Sequence, residues 1–407
     1  MKVIVYEHIS GGGYAGQTIP LSVLSEGFGM LRSVVADFKA AGHMVTVLID
    51  GRLSKLNPPI DADYTVPIFY PKEPEKFLSN IAKINDAIYI VAPETRQTLQ
   101  SLVELTQQTG KISLNCESGA IGKVADKAVL FKNLQNNDFP TPKTLVLNNN
   151  DSIVQIKQVL KRELNYPIVI KPADGVGCSG LSIVNKDAQI EKAIAKANAG
   201  SSCTHFIAQE YVEGESASVS VLSTGKRALA LSLNKQNINL AEPDEVSSYD
   251  GGIVPFDHPQ KQQAFSIAQK VVESFSGLRG YVGVDLILAQ NKPYVVDVNP
   301  RLTTSYVGLR KVASFNVAEA LVNTVLKGDL PAKSKNHGVS IFSKMETSNP
   351  SIHAFQKAAK LGAVVSPPFP LNDEGKSWAL IIGEGNSLDA ARLHLEEAKK
   401  CLHNIIT

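Results

Sequence analysis

The chain has 407 residues, more than one hydrophobic core ordinarily organises, so two or three domains are expected at about 150 residues each. Apolar residues make up 43%, which excludes a disordered chain; 41 Lys plus Arg against 39 Asp plus Glu leave +2, with no like-charge run to attract nucleic acid or an acidic membrane. Cys116, Cys178, Cys203 and Cys401 lie too far apart for a disulfide framework or a zinc site, and no stretch reaches the roughly 18 apolar residues of a membrane span. At the N-terminus MKVIVYEHIS breaks at Glu7, too early for a signal peptide, so a soluble protein of the cytoplasm is expected.

The first third alternates strands and helices. Val3 to Tyr6 reads as a strand, Ser10 to Gly13 (SGGG) as a turn, and Leu21 to Ala41 as a helix with Leu24, Phe28, Leu31, Val34, Val35 and Phe38 on one face and Gly42 ending it. VTVLID follows as a second strand, then AIYIVAPE, a helix through Leu105, and ISLNC. Such alternation predicts a parallel sheet covered on both faces. Near Ala125 the pattern changes. One helix, ADKAVLFKNLQ, leads through FPTPKTLVL into a strand-rich section containing YPIVIKP, LSIV, HFIAQEYV, SASVSVL, ALALSLN, YVGVDLIL and PYVVDVNP, with one helix around Gln262 to Phe275. Antiparallel sheets in an α+β unit are expected there. A third section begins near Pro331 and holds KAAKLGAVVSPP, the strand SWALIIGEG and the helix SLDAARLHLEEAKKCLHNI.

Four motifs could carry chemistry. The SGGG turn with Asp50 at the end of the next strand suggests a dinucleotide site. However, the third glycine is missing and Asp50 lies almost 40 residues on, where about 20 is usual, so a plain strand-to-helix turn competes. Lys171 ends YPIVIKP before the loop ADGVGCSG, where Gly175, Gly177 and Gly180, with small Ser179 and Cys178, can turn N–H groups onto phosphate; a simple hairpin turn is the alternative. In QEYVEGESASVS, Glu210 and Glu215 flank backbone from Tyr211 to Gly214 that could bond an adenine edge, with a carboxylate for ribose hydroxyls; a solvated acidic turn would read the same. The fourth motif is the most specific. Asp285 and Asp297 lie on consecutive strands joined by AQNK, and Asn299 and Arg301 share the Asp297 face by alternation. Two carboxylates and an amide oxygen suit magnesium carried in on phosphates. His8, His43, His205 and His258 lack ligand spacing; Glu94 could face the cleft and bind an amine; YDGGIVP could be a lid or a surface loop.

The ordered set resembles the ATP-grasp superfamily over about residues 1–330, and AQEYVEGESASVSVL, ALSLNKQNI, GYVGVDLIL, VDVNPRLTTSYVGL and VAPETRQTL resemble its tyramine–glutamate ligases. The resemblance implies a parallel α/β domain over 1–120, an ATP-grasp fold over 121–330 and a small β-rich C-terminal subdomain over 331–407, the last similar to biotin-carboxylase-type relatives. It implies that Lys127 and Lys171 contact the phosphates of ATP, that Glu210, Tyr211 and Val212 frame adenine, and that Glu215 holds the ribose. Asp285, Asp297 and Asn299 would bind magnesium or manganese, and Lys171 and Arg301 would act on the transferring group. Asp297 stands where many members have glutamate. The expected activity is ATP-dependent joining of a small carboxylate, such as glutamate, to an amine such as tyramine through an acyl phosphate, in a chain that could form a homodimer. Activation of another acid or bicarbonate, a non-catalytic nucleotide sensor and an NAD-type oxidoreductase are the alternatives.

Overall fold

The computed structural model describes residues 1–332, 336–371 and 375–407. Five apolar runs near the N-terminus pair as β1 (Lys2–Glu7), β2 (Met44–Asp50), β3 (Tyr64–Ile68), β4 (Ala87–Val91) and β5 (Ile112–Ser113), a parallel sheet in the order β3-β2-β1-β4-β5. Nearly continuous burial along β1, β2 and β4 is what a sheet covered on both faces requires. The helix Leu21–Ala40 covers one face through Leu24, Phe28, Leu31, Val34 and Phe38. The helix expected over ADKAVLFKNLQ runs Lys127–Asn136, and a further helix, Ser118–Ala125, precedes it. Asp126 breaks them and caps the later one by accepting from the Ala128 and Val129 N–H groups. That break puts Lys127 on the first turn.

A second sheet holds β6 (Thr144–Asn148), β7 (Ile168–Pro172), β8 (Ser182–Val184) and β9 (His205–Glu210) in the order β6-β9-β7-β8, all antiparallel. Helices Ile153–Glu163 and Ile190–Ala199 back it over Ile156, Leu160, Ile190 and Phe206.

The third sheet has eight strands: β10 (Glu215–Thr224), β11 (Ala228–Asn239), β12 (Ser248–Val254), β13 (Arg279–Leu288), β14 (Pro293–Asn299), β15 (Val339–Ser348), β16 (Val364–Ser366) and β17 (Lys376–Gly385). Its order is β14-β13-β10-β11-β12-β15-β17-β16, so the strands after Pro331 extend the sheet that carries Asp285 and Asp297. YDGGIVP is neither lid nor surface loop: it runs into β12, inside this sheet, paired with β11 on one side and β15 on the other. A shared core ties the C-terminal strands to the first domain, with Phe342, Leu380 and Ile382 packed among Met30, Leu31, Val34 and Tyr306.

Candidate active site

The β13–β14 hairpin sets Asp285 directly opposite Asp297 and Gly283 opposite Asn299. Asn299 Nδ2 donates to Asp285 Oδ2 at 3.0 Å, and Gln236 Nε2 on β11 donates to Asp285 Oδ1 at 3.0 Å. Burial, then the charge of Asp297, pushes the Asp285 carboxyl up to about 6, because two carboxylates share one poorly solvated place. Lys127 Nζ answers that charge, donating to Asp297 Oδ2 at 2.8 Å and Oδ1 at 3.1 Å. Burial works against the Lys127 charge, but Asp297, together with Glu94 and Asp285, holds the ammonium above the ordinary lysine value.

Lys171 ends β7 beside this cluster. Its Nζ donates to the Val296 carbonyl at 3.1 Å and lies 4.9 Å from the Phe131 ring centroid. Burial, only partly offset by Asp297 and reinforced by Lys127, lowers its pKa to about 7. The glycine loop joins β7 to β8. Gly177, Cys178 and Gly180 have left-handed φ values of 58°, 66° and 72°, and the Lys127 N–H donates to the Ala173 carbonyl at 3.0 Å. Burial pushes the Cys178 thiol up to about 12, and the charges of Asp285 and Glu26 add to the effect. Asp174, at the loop's start, accepts from the Arg96 N–H at 3.1 Å and Ser201 Oγ at 2.6 Å.

The segment Glu210–Glu215 lies at the other side, between β9 and β10. Glu210 and Tyr211 are exposed, and Glu215 pairs with Lys235 at 2.6 Å and lies 3.8 Å from His258 Nε2. The alternation Asp297, Asn299, Arg301 carries the row toward the N-terminal sheet, where Arg301 Nε donates to Glu94 Oε1 and Oε2 at 3.0 and 3.1 Å. Glu94, just after β4, thus has Arg301 for a partner. Next to it Lys344 Nζ on β15 contacts Glu26 Oε1 at 2.9 Å, and Thr304 Oγ1 donates to Glu26 Oε2 at 2.8 Å. The dinucleotide reading of the SGGG turn fails on its contacts. Ser10 N and Oγ serve the Glu7 carboxylate at 2.7 and 2.6 Å, while Asp50 accepts from the Arg52 N–H and pairs with its guanidinium at 2.8 Å.

Residues 124–305 match the ATP-grasp domain family, and residues 43–121 match the pre-ATP-grasp 3 domain that precedes it. The chain belongs to the ATP-grasp superfamily. It is similar to the tyramine–L-glutamate ligases of Methanocaldococcus fervens (29% identical, covering 81% of this chain and 96% of that protein) and Methanocaldococcus jannaschii (26%, covering 83% and 94%). Among solved structures, a protein assigned to the superfamily from Archaeoglobus fulgidus superposes with a TM-score of 0.63 at 24% identity, covering 94% of this chain and 99% of its own. The biotin carboxylase domain of Hydrogenobacter thermophilus 2-oxoglutarate carboxylase, solved with MgADP and bicarbonate, gives 0.72 at 13% identity over 98% of this chain and 89% of that one. At these identities the structures establish the fold alone.

Within this ATP-grasp fold, the cluster around Asp285 fits a hard divalent cation. Asp285 and Asp297 stand directly opposite each other, and burial together with the charge of Asp297 raises the Asp285 carboxyl, a pairing that a divalent cation would relieve. Among the described residues no group of three His, Cys, Asp or Glu is placed to hold a metal, so the third protein donor would be the Asn299 amide. Five polar residues of the site were absent from the sequence reading: Glu7, Glu26, Gln236, Thr304 and Lys344. A cleft of about 540 Å³ lined by Leu56, Pro58, Phe355 and Lys360 lies elsewhere and contains none of these groups.

Proposed function

We propose that this ATP-grasp protein is an ATP-dependent, ADP-forming carboxylate–amine ligase of the cytoplasm, joining a small acid such as glutamate to tyramine or a similar amine. One observation carries the reading. Alternate residues of a single strand and its extension link a phosphate-type cluster (Asp297, Asn299, Lys127) to an Arg301–Glu94 pair on the N-terminal sheet. The likeness to tyramine–L-glutamate ligases over most of both chains supports the choice of acid and amine.

A free carboxylate does not acylate an amine near neutral pH because oxide is too poor a leaving group. In the proposed reaction the acid's oxygen attacks the γ-phosphorus of ATP, giving an acyl phosphate and ADP. The amine nitrogen then attacks the acyl carbon, phosphate departs, and the nitrogen loses a proton. Such chemistry rests on positioning and neutralisation of charge. Lys171 and the N–H groups of Gly175, Gly177, Ser179 and Gly180 would hold phosphate oxygens, with Lys127 exchanging Asp297 for phosphate. Glu210, Tyr211 and Val212 would frame adenine and Glu215 the ribose. Arg301 would face the transferring group. Magnesium or manganese on Asp285, Asp297 and Asn299 would neutralise phosphate charge. Roles divide over 1–120, 121–330 and 331–407, the last closing the cleft.

The test is isotopic. Glutamate carrying oxygen-18 in its carboxylates is incubated with ATP and tyramine, then with further acid and amine pairs, and the amide product is confirmed by mass. Label should appear in the released phosphate, because the oxygen that bonds phosphorus leaves with it. An ATPase leak or a nucleotide sensor would draw that oxygen from water. Phosphate free of label, formed alongside amide, would sink the acyl-phosphate route.

A further inference from the structure

One face of the eight-stranded sheet can be followed from Asp285 to Lys344. Asp285 pairs with Ser218, and Ser218 with Asn234; Gln236, two residues on, pairs with Gly252, and Gly252 with Phe342. Directly paired residues, and residues two apart on one strand, share a face. Lys344, two residues past Phe342, therefore points to the same side as Asp285. The Gln236–Asp285 hydrogen bond shows that this face is the one lining the site. The section after Pro331, which neither matching domain family covers, thus places a cation in the site.

Lys344 ends on the helix Leu21–Ala40. Its ammonium donates to Glu26 Oε1 at 2.9 Å and Ser22 Oγ at 3.2 Å, and Thr304, three residues after Arg301, holds the other Glu26 oxygen. The side chains are 9% and 18% exposed, so both charges are largely withdrawn from water. Glu7 packs against the same turn of helix: a Cβ on Gly27 would fall 2.7 Å from its carboxylate. Arg301 feels the charge of Glu26 as well as that of Glu94. Two cations and three carboxylates from three parts of the chain therefore meet beside the phosphate cluster. The Arg301–Glu94 pair is taken up by the proposed chemistry; the Lys344–Glu26 pair is not.

We propose that Glu26 and Lys344 form the receptor for the charged head of an α-amino acid, with the ammonium group on Glu26 and the α-carboxylate on Lys344. The assignment rests on the ligase reading and names the class of its acid substrate. A zwitterion exchanges like for like. Its two charges replace the two that the protein's groups offer each other, while Thr304 stays on Glu26 and Ser22 on Lys344. An acid without the ammonium would take Lys344 and leave Glu26 poorly solvated and unpaired; an amine without the α-carboxylate would do the reverse. Stranding one member of a largely buried pair is strongly unfavourable, so the pair rejects the wrong ligand as well as welcoming the right one.

The test uses the full-length protein with MgADP and three probes of matched length: L-glutamate, glutarate (no amino group) and 4-aminobutyrate (no α-carboxylate). Calorimetry should show glutamate binding at least about tenfold more tightly than either analogue. Glu26→Gln should remove the preference over glutarate, and Lys344→Gln the preference over 4-aminobutyrate. The double exchange Glu26→Lys with Lys344→Glu retains an ion pair, so it should keep the wild-type melting temperature and lose glutamate binding, which a merely structural pair would not do. Equal affinities in the wild type, or single variants that keep both preferences, overturn the receptor. Amide formation with unaltered preferences in the variants leaves the ligase standing and the receptor refuted. Selective glutamate binding without amide formation from any amine establishes the receptor and refutes the ligase.

Discussion

Among the shifted groups at the site, Lys171 and Asp285 depart in ways that describe a place prepared for a ligand. Lys171 loses its charge near pH 7 because burial and the neighbouring Lys127 outweigh Asp297. Between that value and the ordinary lysine value, the folded protein binds fewer protons than the unfolded chain, so Lys171 makes stability rise with pH across that window. A phosphate group arriving at the ammonium restores the charge. ATP binding above pH 7 should therefore take up a proton, and affinity should fall with pH by at most about tenfold per unit. Calorimetry in two buffers of different ionisation heat reads the uptake, and Lys171→Met should abolish it. Uptake unchanged in Lys171→Met would place the proton elsewhere. Asp285 has the opposite sign: its carboxyl, raised to about 6, makes folding less favourable as pH climbs from the ordinary aspartate value toward 6. Removing its neighbour is a sharper probe of the phosphate cluster. Asp297→Ala should bind ATP and yet lose turnover, and a variant retaining more than about a tenth of the wild-type rate, some 1.4 kcal/mol, would show that Asp297 handles no phosphate charge.

Strand register is the scale at which the site becomes one object, and β12 is its tightest point. Gly251 has φ +124°, and a Cβ there would run into the Phe342 carbonyl of β15. Gly251→Ala should destabilise the fold by more than about 2 kcal/mol, read by denaturant unfolding, while an alanine at exposed Gly119, which has open space around it, should not. If Gly251→Ala matched the wild type, β12 and β15 would not be as closely joined as they are here. The same register explains what could be read from sequence. Asp285, Asp297, Asn299 and Arg301 were legible because a period of two converts spacing into a shared face, and one short turn fixes the hairpin partner. The helix after Asp126 was legible in ADKAVLFKNLQ, whereas the short one before it, Ser118–Ala125, was not, because SGAIGKVA carries two glycines. YDGGIVP looked like a loop because two adjacent glycines usually signal one; here they permit close strand approach instead. Gln236 and Lys344 sit on ordinary alternating strands, and Glu26 lies among the apolar residues of a helix. Nothing local marks them, and their partners are up to 318 residues away.

The strands after Pro331 extend the eight-stranded sheet and share a core with the N-terminal helix, so this section is no appendage. Strand β15 covers the hydrogen-bonding edge of β12 from Gly251 to Val254, and β17 follows on its outer side. Phe342, Leu380 and Ile382 are buried in a core shared with the helix Leu21–Ala40, and Gly29 of that helix leaves room for Leu380. Arg32 of the same helix donates to the Val364 carbonyl at 2.8 Å. The parallel sheet and the far end of the antiparallel sheet are thus held by one set of contacts, while Lys344 passes from that interface into the cleft. Truncation after Gly328 should therefore do two things. It would leave β12 with an unpaired edge and strip the cover from Leu31, Val34 and Tyr306, so the product should aggregate, seen as a void-volume peak in size exclusion. Any fraction recovered in soluble form should lack ligase activity, since the strands that complete the site would be gone as well as the cation on Glu26. Comparing it with full-length Lys344→Gln separates the two losses. The point variant should remain monodisperse and lose only selectivity for the acid, whereas the truncated chain should lose solubility first. A truncated protein that ran as a single sharp species with full activity would mean that the C-terminal strands neither cover the core nor complete the site.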